Sequence, residues 1–137
     1  MTYEKPRPRI DETSQPYWDA AKRHQLVCQQ CSQCGEFMFP PTTVCERCLS
    51  SDLNWTPISG KGTVWSFILM HQKYYESFAD EIPYNVAVIR SSEGPKFVTN
   101  LVDIDNEHIK VDMPVEITFE DVDEDLTIPK WRPAGTP

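Results

Sequence analysis

Hydrophobic and polar positions change their period twice along the chain. Between Thr13 and Gln25, Tyr17, Ala20, Ala21 and His24 recur at helical spacing beside Trp18. Thr13 or Ser14 is placed to cap and Pro16 is tolerated in a first turn, so the pattern predicts one short amphipathic helix. A helix this short is not stable alone, so its aromatics must dock against the next segment or a partner subunit. After Gly60-Lys61-Gly62 the period becomes two. Thr63 to Met70 is a strand apolar on both faces, Asn85 to Arg90 a second and Lys96 to Val102 a third, with a short fourth at Ile109 to Val111. Pro114 to Glu120 alternates, with Val115, Ile117 and Phe119 facing in. Between the first two strands, residues 71–84 interrupt the pattern with an aromatic excursion. Five short strands and little helix predict a mainly β protein ending in a small closed barrel of the OB type.

The segment between helix and barrel carries the chemistry. Cys31-Ser32-Gln33-Cys34-Gly35 is answered by Cys45-Glu46-Arg47-Cys48. Two such turns aim backbone amides at thiolate sulfurs and supply a tetrahedral four-thiolate site for zinc. Gly35 suits a turn that needs positive φ. A closed set of four thiolates leaves no open coordination position, so the metal is expected to be structural. Iron in a rubredoxin-like site is the alternative, although Leu49 stands where a second glycine would be expected. Cys28 could pair with Cys31 in an overlapping register, but only Cys34 is followed by glycine; Cys28 is therefore read as a spare thiol.

The expected organisation is an arm and helix over 1–25, a rubredoxin-like zinc ribbon over 26–57, an OB-fold barrel over 58–122, and an extended tail over 123–137. Lys5, Arg7 and Arg9 alternate with prolines in the arm, which reads as a solvated tail or as a grip for a partner.

Charge narrows the partners. The 137 residues carry a formal charge of −8, and ten of the 21 acids fall within 101–125, which holds one base. Four metal-bound thiolates would add about two more negative charges. Such a field disfavours a nucleic-acid backbone. No apolar run approaches the length of a membrane span, the first residues lack the apolar core of an export signal, and free thiols point to a reducing cytoplasm.

Taken in order, the chain resembles a known family, the zinc-ribbon plus OB-fold proteins associated with acyl-CoA metabolism and once catalogued only as a domain of unknown function. The resemblance rests on Trp18, Leu26, the two cysteine pairs with Phe39-Pro40-Pro41 between them, Gly60-Lys61-Gly62-Thr63-Val64, Pro83-Tyr84 and Met113-Pro114-Val115. It covers roughly 13–122. Asp112 departs from it, standing where the family has glycine, and Cys28 is extra. The resemblance implies a non-catalytic subunit that binds a thiolase-like enzyme, such as a thiolase, an acyltransferase or a steroid side-chain aldolase, and helps hold its acyl-CoA substrate.

A catalyst of its own would need a nucleophile beside a base, or paired carboxylates in distinct environments. The histidines, His24, His71 and His108, read as surface residues; a Cys28–His71 dyad is conceivable, but nothing in the chain brings the two together. No catalytic residue is assigned. Binding is better supported. Trp65 and Phe67 are expected to fill the barrel, whereas Tyr74, Tyr75 and Phe78 share a run with Lys73, Glu76 and Asp80 and are better placed on the surface. With Tyr84 they are the candidate contacts for the partner enzyme or for a pantetheine arm. Lys73, Arg90, Lys96 or Arg47 could neutralise the phosphates of a nucleotide. The competing reading is a single-stranded nucleic-acid module, since zinc ribbons and OB barrels also serve that role with stacking aromatics over a basic groove.

Overall fold

The computed structural model describes residues 5–135; Met1–Glu4 of the expected arm and Thr136–Pro137 of the expected tail lie outside the described residues. Helix α1 spans Gln15–Lys22 with Pro16 in its first turn. Its end is set by His24 at φ +59°, where the Gln25 N–H donates to the Ala20 carbonyl and the His24 N–H to that of Ala21. Tyr17, Ala20 and Ala21 form the buried stripe.

The ribbon is a three-stranded sheet of β1 (Val27–Cys31), β2 (Phe37–Met38) and β3 (Leu53–Pro57), in the order β2-β1-β3. Five antiparallel strands follow: β4 (Lys61–Met70), β5 (Tyr84–Ser91), β6 (Lys96–Thr99), β7 (Pro114–Asp123) and β8 (Leu126–Pro133), in the order β6-β5-β4-β7-β8. Just beyond β6, Leu101 pairs in parallel with Trp131 of β8, and the Val102 N–H donates to the Trp131 carbonyl at 2.9 Å. That bridge nearly closes the sheet into the expected five-stranded barrel.

One expected strand is absent and an unexpected one takes its place. Ile109 to Val111 is not a strand: a 3-10 turn at Asn106–His108 precedes it, and Ile109 inserts its side chain into the core. The fifth strand is β8, in the segment expected as an extended tail, where Trp131 is almost wholly buried. Pro129 and Pro133 are residues that a paired strand ordinarily excludes. Both share the parity of Trp131, whose carbonyl points away from β7 towards Val102, so their missing N–H groups fall outside the β7 ladder.

The remaining seam between β6 and β8 is covered from outside. Phe39, between the ribbon's cysteine pairs, lies 4.5 Å from Phe97 of β6 and 5.0 Å from Tyr17 of α1, and Phe97 lies 5.9 Å from Trp131 of β8. Leu26 and Cys28 enter the same core as Val64, Ile89, Val115 and Trp131. Helix, ribbon and barrel therefore share one interior, with a small second core around Cys31, Met38 and Cys45. No helix among the described residues is long and apolar enough to cross a membrane.

Candidate metal centre and aromatic surface

The two cysteine turns have matching backbones. In the first, the Gly35 N–H donates to the Cys31 carbonyl at 2.9 Å; in the second, the Leu49 N–H donates to the Cys45 carbonyl at 3.0 Å. Gly35 has φ +79° and Leu49 φ +65°, so leucine holds a left-handed position that glycine fills in the first turn. The turns bring the sulfurs of Cys31, Cys34, Cys45 and Cys48 within 4.8 Å of one another, with Cys31–Cys48 and Cys34–Cys45 each at 3.6 Å. A tetrahedron with zinc–sulfur bonds of about 2.3 Å has edges of about 3.8 Å, so the cluster fits that ion.

Backbone amides favour the thiolate form at Cys45 and Cys31, while the neighbouring thiols raise Cys34 and Cys48. The N–H groups of Arg47 and Cys48 lie 3.3 and 3.4 Å from the Cys45 sulfur, and these amides, that of Cys48 foremost, hold its thiol below the usual range. The amides of Cys34 and Gln33 bring Cys31 down to about 7. Cys28 is separate: three residues before Cys31 on a period-two strand, it points to the opposite face. There it is fully buried in the barrel core, and burial pushes its thiol up to about 12, with Glu93 adding to the effect.

The structure divides the six candidate contact residues into two groups. Tyr74 and Tyr75 stand 63% and 57% exposed, and Phe78 leans on Tyr84 at 5.4 Å and on Tyr75 at 6.3 Å. Lys73 is already paired with Glu76 at 2.9 Å. Arg90 lies apart, at the far end of β5 from Tyr84; six residues at about 3.3 Å each put roughly 20 Å between their backbones. It lines a cavity of about 550 Å³ with Lys61, Ser92 and Val115. Arg47 is held by Glu36 at 3.5 Å. The arm folds back instead of trailing: Lys5 pairs with Glu81 at 2.6 Å and sits 5.1 Å over the Phe78 ring, while Arg7 pairs with Asp123.

Trp65 does not fill the barrel. The pairing of β4 with β5 shifts register between Val64 and Ser66, and this bulge turns Trp65 outward, 46% exposed, with the Lys96 ammonium 3.8 Å from its ring centre. Phe67, as expected, packs against the core.

Catalytic geometry does not assemble around the histidines. Cys28 is sealed in the core while His71 is exposed, and no hydrogen bond joins them among the described residues. His24 is engaged by Asp121 and His108 lies 3.9 Å from Asp105.

One polar group escaped the sequence reading. Asn85, buried at the start of β5, donates to the Leu101 carbonyl at 2.9 Å and accepts from the Leu101 N–H at 2.6 Å. Asn100 donates to the Asn85 carbonyl and Asn106 to that of Pro83. These amides brace the end of the aromatic excursion against the loop after β6, and with Phe78 and Tyr84 they line a cavity of about 290 Å³. Only the run Pro83-Tyr84-Asn85 hinted at them.

Comparison with known proteins agrees with this architecture. Residues 18–54 match the family model of the ChsH2 rubredoxin-like zinc ribbon domain, and residues 55–120 that of the ChsH2 C-terminal OB-fold domain. A probable enoyl-CoA hydratase alpha subunit of Thermomonospora curvata is 38% identical over 95% of this chain, which spans 40% of that protein. A DUF35 domain-containing scaffold protein of Methanothermobacter thermautotrophicus is 31% identical over 85% of this chain and 87% of its own. Among solved structures, a chain of the Ltp2-ChsH2(DUF35) aldolase superposes with a TM-score of 0.84 at 38% identity, covering 93% of this chain and 99% of that one. With the ribbon and most of the barrel matched, and a DUF35 protein aligned over most of both chains, the chain belongs to the DUF35 family, in its ChsH2 zinc-ribbon and OB-fold form.

Proposed function

We propose that this chain is a non-catalytic accessory subunit of a thiolase-superfamily enzyme, a thiolase, an acyltransferase or a steroid side-chain aldolase, and that it helps bind or channel that enzyme's acyl-CoA substrate. The observation that carries the reading is the match, along nearly its whole length, to one chain of an aldolase complex. Hydratase alpha subunits among the relatives support a place in a hetero-oligomer acting on CoA esters. The naming of relatives as DUF35 domain-containing scaffold proteins supports a non-catalytic role.

In this reading Cys31, Cys34, Cys45 and Cys48 hold structural zinc, whose contribution is to fold the ribbon rather than to activate substrate. Tyr74, Tyr75, Phe78 and Tyr84 meet the partner or the pantetheine arm, and Arg90 meets charge at a separate point. The deciding experiment is a pull-down of the tagged chain from its native extract at low and moderate salt, with co-purifying proteins identified and nucleic acid quantified. A thiolase-like protein at fixed stoichiometry is expected. Recovery of the chain alone or with nucleic acid, or turnover of acyl-CoA by the isolated chain, would overturn the proposal.

A further inference from the structure

An antiparallel sheet with one solvated face normally alternates apolar inside and polar outside. The outer face of β4, β5 and β6 does not. Cross-strand pairing places Ile68 beside Val86, Ser66 beside Val88 and Val98, and Met70 beside Tyr84, while the bulge adds Trp65. Ile68 is 57% and Val98 73% exposed, and Val86, Val88, Met70 and Tyr84 are half-buried. Contiguous exposed apolar surface of this kind marks an interaction site.

The face is also charged in one sense only. Its outward rows carry three ionised side chains, Lys61 at the start of β4 and the cross-strand neighbours Arg90 and Lys96, and no carboxylate, in a chain with 21 acids against 13 bases. None of the three is in an ion pair among the described residues, and the Lys96 ammonium lies instead over the Trp65 ring. A second copy docked through the same face would bring the same three cations and no acid. The complementary surface is therefore apolar and edged with carboxylates.

We infer that the outer face of β4–β5–β6 is the docking surface for the partner enzyme, and that the partner presents an apolar patch edged by acidic side chains opposite Arg90 and Lys96. The inference rests on the accessory-subunit reading and adds where the partner sits. Three strands about 4.8 Å apart and roughly 20 Å long give a footprint of about 20 by 14 Å. Stable interfaces bury about 800 Å² per partner, so the contact extends beyond the sheet. The aromatic excursion, joined to the face through Tyr84 and Phe78, supplies the continuation.

The test compares the full chain with Val98→Asp, Ile68→Asp and Lys96→Glu, taking Leu49→Asp as a control at an exposed apolar position on the ribbon. Circular dichroism establishes folding, and recovery of the identified thiolase-like or hydratase protein from native extract is quantified. A drop of tenfold or more for Val98→Asp and Ile68→Asp, a smaller drop for Lys96→Glu that wild type reproduces when salt is raised, and no change for Leu49→Asp are expected. A photo-crosslinking residue at position 98 should link to that same protein. Full recovery with folded Val98→Asp, or an equal loss with Leu49→Asp, would overturn the face while leaving the accessory reading intact. No such partner with wild type would overturn both. A wild-type dimer in light scattering that Val98→Asp converts to monomer, or salt-sensitive binding of a single-stranded oligonucleotide abolished by Lys96→Glu, would assign the face to another occupant and overturn the inference.

Discussion

His24 and Asp121 meet across 97 residues of sequence, with the imidazole Nε2 2.9 and 3.0 Å from the two carboxylate oxygens and the ring stacked 5.0 Å over Phe119. The pair ties the end of α1 to β7. Thr127 donates to the same carboxylate at 2.7 Å. The His24 hydrogen bond first, then that of Thr127, lowers the Asp121 carboxyl below its ordinary value. A carboxyl depressed in the folded state stabilises above its unfolded value of about 3.9 and loses that contribution as pH falls through the folded value. Wild type is therefore expected to exceed Asp121→Asn in urea midpoint at pH 7, with the gap closing below about pH 4. A gap unchanged at pH 2.5 would show that the charge is not responsible.

The sulfur cluster predicts two classes of thiol. Metal analysis should find one zinc per chain, lost in Cys45→Ser and retained in Cys28→Ser. Once a chelator has removed the metal, Cys31 and Cys45, whose thiols are lowered, should react with iodoacetamide before Cys34 and Cys48, whose thiols are raised. In the zinc-loaded protein Cys28, buried and with its thiol at about 12, should react only after denaturation. Mass mapping of the alkylated residues checks both statements.

Two glycine relationships run in opposite directions. Leu49 holds φ +65° while 75% exposed, so Leu49→Gly should stabilise by about 1 kcal/mol through removal of left-handed strain. A Cβ on Gly62 would lie 2.5 Å from the Arg90 carbonyl, which is backbone within the β4–β5 ladder. Gly62→Ala should therefore cost about 2 kcal/mol. Denaturant midpoints at constant slope measure both.

The last strand is as necessary as the first. Trp131→Ala removes a buried indole from the core and should cost about 3–5 kcal/mol. Truncation after Asp123 should leave β7 unpaired on the side that β8 occupies and yield insoluble protein. Soluble, cooperatively unfolding truncated protein would contradict the role assigned to β8.

At the excursion, Tyr75→Ala should leave the thermal midpoint unchanged, because the ring is mostly in solvent. Phe78→Ala should cost about 1 kcal/mol from contacts with Tyr84 and Lys5. Both should weaken partner recovery.

Periodicity and spacing made much of this molecule legible. The two cysteine turns announced the ribbon, and strands β4 to β7 followed their alternation. What stayed hidden depended on distant contacts. Pro129 and Pro133 read as breakers because their safety depends on which edge of β8 meets β7, and that edge is known only once Leu101 and Trp131 have met. Trp65 was assigned to the interior because a single-residue bulge inverts a strand's parity without altering its composition. Asp112, where the family has glycine, adopts φ +71°, so the turn keeps its left-handed geometry with a residue type that tolerates it. Arg90 and Tyr84 looked like neighbours in the chain and stand at opposite ends of a strand.

Phe39 on Phe97 has a consequence for how the protein is handled. The ribbon acts as a lid over the unpaired flanks of β6 and β8, and the ribbon's own fold depends on its metal. Stripping zinc should lift that lid and bare two strand edges together with the aromatics between them, the surface on which chains polymerise. Zinc supply during expression should then govern yield and colloidal behaviour before it affects any partner, so that turbidity would be the earliest sign of an empty cluster.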